Sequence, residues 1–158
     1  MAINKGKIFE EKFKQDWSKC FPKTLVFRLV DQVSGFKTTS QNPCDYLCFP
    51  GKKLFMIECK SHDGASIPFS VIPQYERLLA YKDYENVVPG IVIWFKEKDK
   101  IIWGDISTLE KIYNDGNKSI QLKMLNNDKY NLKEIPSVKK RVYLEADYTY
   151  LVNLYGGK

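Results

Sequence analysis

The sequence predicts an α/β fold, a mixed β-sheet with flanking helices, and three observations carry that prediction. An amphipathic helical stripe opens the chain, segments of β character follow it, and a helix then intervenes before two further apolar strands. The resulting order, α-β-β-β-α-β-β, combines an antiparallel hairpin with a helical crossover.

Between residues 5 and 19, Phe9, Phe13 and Trp17 recur at i, i+4 and i+8, which puts them on one helical face, and Pro22 marks the helix end. "TLVFRLV" at 24–30 reads as a strand, and the polar, Gly-containing "SGFKTTSQNP" as the loop that delivers the chain into a hairpin over 42–60. "SHDGASIPFS" reads as loop. "PQYERLLAYKDY" at 73–84 is a short helix started by Pro73, with Tyr75, Leu78 and Leu79 on one side and room for Tyr81 beside them. "GIVIWF" is a continuous apolar run rich in β-branched residues, a buried strand, and "KIIWGDI" pairs with it across "KEKDK". A further helix, a polar stretch around "NDGNK" and a tail complete the chain. With no repeat, low-complexity segment or linker, residues 1–158 read as one domain.

Composition narrows the function classes. At 44% hydrophobic and 14% aromatic residues the chain is too apolar for disorder, and its longest apolar stretch, "IVIWF", is far short of the roughly 20 residues of a membrane span. The charged N-terminus lacks an apolar leader, so a cytoplasmic location is expected. Four cysteines form no CxxC pair; Cys44 and Cys48 stand about 13 Å apart on an extended strand, and all four read as small buried hydrophobes. A net charge of +6, gathered at "NKGKIFEEKFK", "KEKDK" and "VKKR", suits a polyanionic partner such as nucleic acid, although such runs are also ordinary solvated surface.

The informative stretch is "NPCDYLCFPGKKLFMIECK", residues 42–60, a hydrophobic hairpin that contains Asp45, Glu58 and Lys60. Charged groups are rarely buried unless they pair or bind metal. Alternation puts Glu58 and Lys60 on one face of their strand, with Ile57 and Cys59 on the other. A two-residue type II′ turn at Gly51-Lys52 would set Asp45 directly opposite Glu58, Cβ atoms roughly 4.5–5.5 Å apart. Two like charges repel there unless a cation lies between them, and a hard divalent ion such as Mg²⁺ suits the oxygen ligands. Lys60, on the same face, can stabilise the negative charge that develops in phosphoryl transfer. The triplet Glu10-Glu11-Lys12 repeats the ExK spacing on a helix, where i and i+2 diverge and cannot share a site. Glu10 falls on the border of the buried stripe, and can either look along the core edge toward the sheet or pair with Lys14 at i+4.

These residues carry a family resemblance. Asp45, twelve residues, then Glu58-Cys59-Lys60 resembles the PD-(D/E)xK nuclease signature, with Pro43 two positions ahead of Asp45 instead of one. "KGKIFEE", with Gly6 and Glu10, resembles the helix that opens the Holliday-junction resolvases of that superfamily. The run from 42 to the "QYERL" helix is similar to the RecU resolvases of Gram-positive bacteria and their phages, a likeness that spans roughly residues 5–95.

The resemblance implies a restriction-endonuclease-like mixed sheet with an α-β-β-β-α-β core, and an Mg²⁺-dependent endodeoxyribonuclease, with Mn²⁺ as a substitute, that resolves four-way DNA junctions in recombination and repair. It implies Asp45 and Glu58 as metal ligands with the Cys59 carbonyl assisting, Lys60 orienting or activating the attacking water, Glu10 completing the acidic cluster, and Gln74 near the catalytic face. Thr38, Thr39 and Ser40 lie where the family has hydroxyl residues close to the metal. The family's longer projecting insertion before the catalytic aspartate is reduced here to "QVSGFKTTSQN".

Candidate DNA contacts are Lys5, Lys7, Lys37, Thr38, Thr39, His62, Lys139, Lys140 and Arg141; His62 could touch phosphate, but its first reading is a loop histidine without a role. Trp94 and Trp103 read as core or interface aromatics, and Asp63-Gly64 as turn chemistry. A symmetric homodimer is expected, because resolving a junction takes two matched nicks, with "GIVIWF", "IIWGD" and the Tyr-rich tail as candidate interface. Two other readings stand beside the resolvase: a restriction- or repair-type nuclease acting on duplex or flapped DNA, and a non-catalytic DNA-binding protein with a nuclease-like fold.

Overall fold

A computed structural model describes residues 4–30, 33–34, 37–38 and 41–158, with the backbone alone for 33–34 and 37–38. The elements are α1 (Lys5–Cys20), β1 (Leu25–Arg28), β2 (Val33–Ser34), β3 (Lys37–Thr38), β4 (Tyr46–Phe49), β5 (Leu54–His62), β6 (Ser66–Pro68), α2 (Gln74–Leu79), β7 (Val87–Phe95), β8 (Lys100–Asp105), α3 (Ile106–Asn114), β9 (Ser119–Gln121), β10 (Lys133–Glu134), β11 (Ser137–Lys139), β12 (Leu144–Ala146) and α4 (Thr149–Asn153). Short 3₁₀ turns lie at Phe69–Val71, Lys96–Lys98 and Leu122–Asn126.

Six strands form the main sheet in the order β1-β4-β5-β7-β8-β10. β5 and β7 run parallel, joined by the crossover that contains α2, and every other neighbouring pair is antiparallel. The sheet is therefore mixed, as the element order predicts. Side-chain alternation divides its two faces. Phe55, Ile57 and Cys59 of β5 meet Phe9, Phe13 and Trp17 of α1, together with Tyr148, Leu151 and Val152 near the C-terminus. On the other face, Met56 of β5 and Ile91 and Ile93 of β7 pack with Tyr75 and Leu78 of α2 and Leu109 and Ile112 of α3.

Polar links fix the helices to the sheet. Asn4 caps α1 by accepting from the Lys7 N–H at 3.3 Å. The buried Asp16 accepts from the Ala146 N–H at 2.9 Å and pairs with Lys12, so α1 is tied to β12. The Trp103 indole donates to the Tyr155 hydroxyl at 2.9 Å, which donates to Asp105 at 3.0 Å, and Asp105 caps α3 through the Thr108 N–H at 2.8 Å. Gly90 makes room for this arrangement: a Cβ there would come within 2.2 Å of the Trp103 ring.

Several sequence expectations need correction. β5 continues to His62, and the segment read as loop beyond it holds β6, which pairs with β9. The helix read over 73–84 ends at Leu79, where the chain tightens into successive three-residue turns. The tail is structured, with β10 joining the main sheet and β11 and β12 forming a ribbon. The two strand segments proposed for the interface are interior, with Ile91, Val92, Ile93, Ile101, Ile102 and Trp103 all buried, whereas the tail is mixed, with Tyr148 buried and Tyr143 exposed. No helix among the described residues is long and apolar enough to cross a membrane.

Candidate active site

The hairpin register is the one the turn argument requires. Tyr46 pairs with Ile57, Leu47 with Met56 and Cys48 with Phe55, and the Asp45 N–H donates to the Ile57 carbonyl at 3.1 Å. Asp45 itself lies just before β4, and its N–H bond to the Ile57 carbonyl departs from the register of the pairs that follow, so the ladder does not extend to the expected Asp45–Glu58 pair; the Asp45 side chain instead reaches β5 beside Glu58, at the Cys59 N–H. The turn itself differs from type II′: Gly51 has φ +151°, far from the value near +60° of that turn, and residues 50–53 form an open connection.

Asp45 is anchored from both sides. Its Oδ2 accepts from the Cys59 N–H at 2.9 Å, while its own carbonyl accepts from the Leu29 N–H at 2.8 Å. Glu58, 2% exposed, pairs through Oε1 with the Lys60 ammonium at 3.3 Å, and its Oε2 is buried with no hydrogen-bond partner. Burial, reinforced by the neighbouring Asp45 charge, pushes the Glu58 carboxyl up to about 8, and Lys60 offsets only part of this. Burial also raises Asp45, so the two acids form a dyad whose carboxyls are both pushed toward the neutral form.

Glu10 reaches the same neighbourhood from α1. Its carboxyl is raised, first by burial and then by Asp45, and it pairs with Arg28 of β1 at 2.6 Å instead of with Lys14. The Tyr46 hydroxyl donates to the Glu10 carbonyl at 3.0 Å, fixing that turn of α1 against the sheet. Among the described residues, no three His, Cys, Asp or Glu side chains form a cluster that could hold a metal ion. The ligand set on hand is therefore two carboxylates, Asp45 and Glu58, with the backbone at Cys59 beside them. Gln74 opens α2 with its Oε1 buried and unpartnered, and it forms no hydrogen bond with the acids.

Two residues that sequence reasoning missed support the site. Arg28 interrupts the apolar "TLVFRLV" just as Asp45 interrupts its own strand, so the same question asked of it would have flagged it. Arg77 of α2 donates to the Asn42 carbonyl at 3.0 Å and pairs with Gln41, holding the chain that leads into Asp45. Nothing in local spacing signals that contact.

The candidate DNA contacts separate into groups. Lys5, Lys139 and Arg141 line one cavity of about 470 Å³ beyond the end of β5. Lys140 pairs with Glu145 at 3.6 Å, Lys7 is exposed on α1, and His62 closes β5 half-buried on the same face as Lys60. The side chains of Lys37 and Thr38, and all of Thr39 and Ser40, lie outside the described residues. A second cavity, of about 860 Å³, lies beside α2 and is lined by none of the site acids.

No protein-family model and no curated protein matches the sequence. Among solved structures, the chain is similar to Hjc of Archaeoglobus fulgidus, a Holliday junction resolvase from an archaeal hyperthermophile. The match has a TM-score of 0.54 at 18% identity and covers 79% of this chain and 91% of that one. The fold is restriction-endonuclease-like. Within this restriction-endonuclease-like frame, Glu58 is carried by β5 and Asp45 immediately precedes β4, and α1 and α2 bring Glu10 and Gln74 from opposite faces of the sheet.

Proposed function

We propose that this chain is a metal-dependent endodeoxyribonuclease of the PD-(D/E)xK type that resolves four-way DNA junctions in the manner of the RecU-like resolvases. One observation carries the reading: the buried Glu58 and the half-buried Asp45 lie together, with the Glu58 Oε2 unpartnered and Lys60 at 3.3 Å. A buried carboxylate oxygen without a partner is costly in an apolar setting, and a divalent cation would satisfy it. Mg²⁺ suits a site with two carboxylates, since it keeps several waters and takes further oxygens from a phosphate. The likeness to a junction resolvase supports the substrate class.

Asp45 and Glu58 would hold the ion, with the Cys59 carbonyl as a further oxygen. Bound there, the ion would activate water and neutralise charge on the scissile phosphate. The chain's own residues divide the remaining work. Lys60 positions the attacking water and meets the charge that grows on the phosphoryl oxygens. Arg28 keeps Glu10 turned toward β1, where it adds negative potential behind the dyad without competing as a ligand. Arg77 steadies the approach to Asp45, and Gln74, with its unpartnered amide oxygen, could accept a hydrogen bond from a water at the site.

A homodimer in the cytoplasm fits this activity. Its surface would not be the interior strands but the uncovered end of the sheet, where Leu25 (52% exposed), Phe27 (55%) and Phe49 (41%) share a face.

A cleavage panel of four-way junction, flap and linear duplex, with Mg²⁺, tests the reading. Junctions should be cut into paired linear products, Asp45→Asn and Glu58→Gln should abolish cutting while retaining DNA binding, and Ca²⁺ should bind without turnover. Preferential cutting of duplex or flap would move the assignment to a restriction- or repair-type nuclease. Cutting by either variant at the native rate would remove the site.

A further inference from the structure

We infer that the cavity of about 470 Å³ beyond the end of β5 is a subsite for one unpaired nucleotide of the DNA substrate, its base seated against Trp94 and Tyr143 and its phosphate met by Lys5 and Arg141. This deepens the nuclease reading and rests on it for the identity of the polymer.

The lining brings together parts of the chain far apart in sequence: the first turn of α1, the end of β7 and the loop between β11 and β12. Its charges are not equivalent. Lys96 pairs with Asp63 at 3.1 Å, Lys139 pairs with Asp99, and Glu97 accepts from the Gly64 N–H at 3.0 Å. Lys5 and Arg141 have no ion-pair partner among the described residues, so the cavity presents two uncommitted cations, one from α1 and one from the loop between β11 and β12. Between them stand the half-buried Trp94 ring, 5.7 Å from Phe9, and the 41% exposed Tyr143, whose ring carries Lys12 at 4.4 Å. A π-face flanked by cations is the arrangement on which single-stranded nucleic acid stacks its bases while its backbone is neutralised.

Position decides that the nucleotide is unpaired. Trp94 is the ladder partner of Ser61, one residue beyond Lys60, and Asp63 lies about 10 Å further along β5 than Lys60 at strand spacing. Yet Trp94 faces the α1 side of the sheet, whereas Glu58 and Lys60 face the α2 side. A strand passing from the dyad into this cavity must turn round the end of the sheet. A stacked duplex is too stiff for that turn, and a nucleotide freed from its partner at a junction or flap is not.

The test uses the fluorescence of the full chain in EDTA, with a ten-nucleotide thymidine oligomer and an abasic oligomer of the same length as probes. Trp17 and Trp103 are buried, so quenching by a bound base reports Trp94. The thymidine oligomer should quench and should bind about tenfold more tightly than the abasic one. Trp94→Phe should abolish quenching, Tyr143→Ala should weaken the thymidine oligomer and leave the abasic one unchanged, and Arg141→Ala should weaken both. Equal affinity for the two oligomers, or quenching that survives Trp94→Phe, overturns the subsite. The outcomes separate from those of the cleavage panel: base-dependent quenching without any cleavage would keep the subsite and remove the nuclease, and cleavage without it would do the reverse.

Discussion

At the scale of single residues, the site shows a conflict between stability and chemistry. Glu58 sits where its charge is unwelcome, with its carboxyl raised from an ordinary 4.5 to about 8 by burial and by Asp45. Between roughly those two pH values the folded chain holds a proton that the unfolded chain has released, so stability of the metal-free protein is fully present below 4.5 and falls as pH rises through 8. Asp45 and Glu10 are shifted the same way. Glu58→Gln removes the charge and keeps the shape, so in EDTA at pH 8 the variant should be more stable than the native chain, by on the order of 2–4 kcal/mol, with the gap closing near pH 5. Urea unfolding at the two pH values measures this, and parallel pH dependences for the two proteins would refute it. Lys60→Ala, by contrast, should leave DNA affinity nearly unchanged while lowering the single-turnover cleavage rate about 10²-fold. A loss confined to affinity would place Lys60 among ordinary surface cations. Glu58 and Lys60 on one core strand were legible in the sequence because their signal is local, charge within apolar alternation; the register of β4 on β5 agrees with the expectation although the turn that suggested it is of another kind. The Glu10 to Arg28 pair was not, because 18 residues of chain separate partners that only the packing of α1 on the sheet brings together.

At the scale of elements, local periodicity found α1, the hairpin of β4 and β5, and the pair β7 and β8, each with a strong apolar pattern of its own. It failed on β6, β9, β10, β11 and β12, all of two or three residues, where pairing with a distant partner outweighs any local preference. α2 is shorter than its apolar pattern, since the turns after Leu79 lead into Asn86, at φ +60°, and on into β7. β7 and β8 pack more tightly than their sequence suggests. Gly90→Ala would drive a methyl group into the Trp103 ring and the Gly104 carbonyl, at 2.2 and 2.7 Å. The ring cannot swing away without breaking its hydrogen bond to Tyr155. Overpacking of this kind should cost about 3 kcal/mol, a fall of roughly 10 °C in Tm measured by calorimetry. An unchanged Tm would mean that the Trp103 to Tyr155 link is not the constraint described here.

At the scale of the whole molecule, the exposed apolar face at β1 is the feature that a lone chain leaves unexplained. Leu25 and Phe27 lie on the edge strand β1 with Phe49 beside them on β4, and among the described residues β1 has one side unpaired. Light scattering at micromolar concentration should give about twice the chain mass, and Phe27→Glu should return it to one chain without unfolding it. A native chain that stays monomeric yet makes two coordinated cuts would remove the dimer. The interior has a different consequence, for how the chain comes to be folded. Phe13 and Trp17 of α1 pack against Tyr148, and Asp16 is completed by the Ala146 N–H, so the first helix is finished only by residues some 130 positions later. At ribosomal speeds that wait is on the order of ten seconds. Throughout it, Phe9, Phe13 and Trp17 have the hairpin to rest on but no α4 or β12, and they present a sticky stripe to other nascent chains and to chaperones. A chain stopped at residue 136 should accordingly bind a hydrophobic dye and aggregate, while the full chain should do neither.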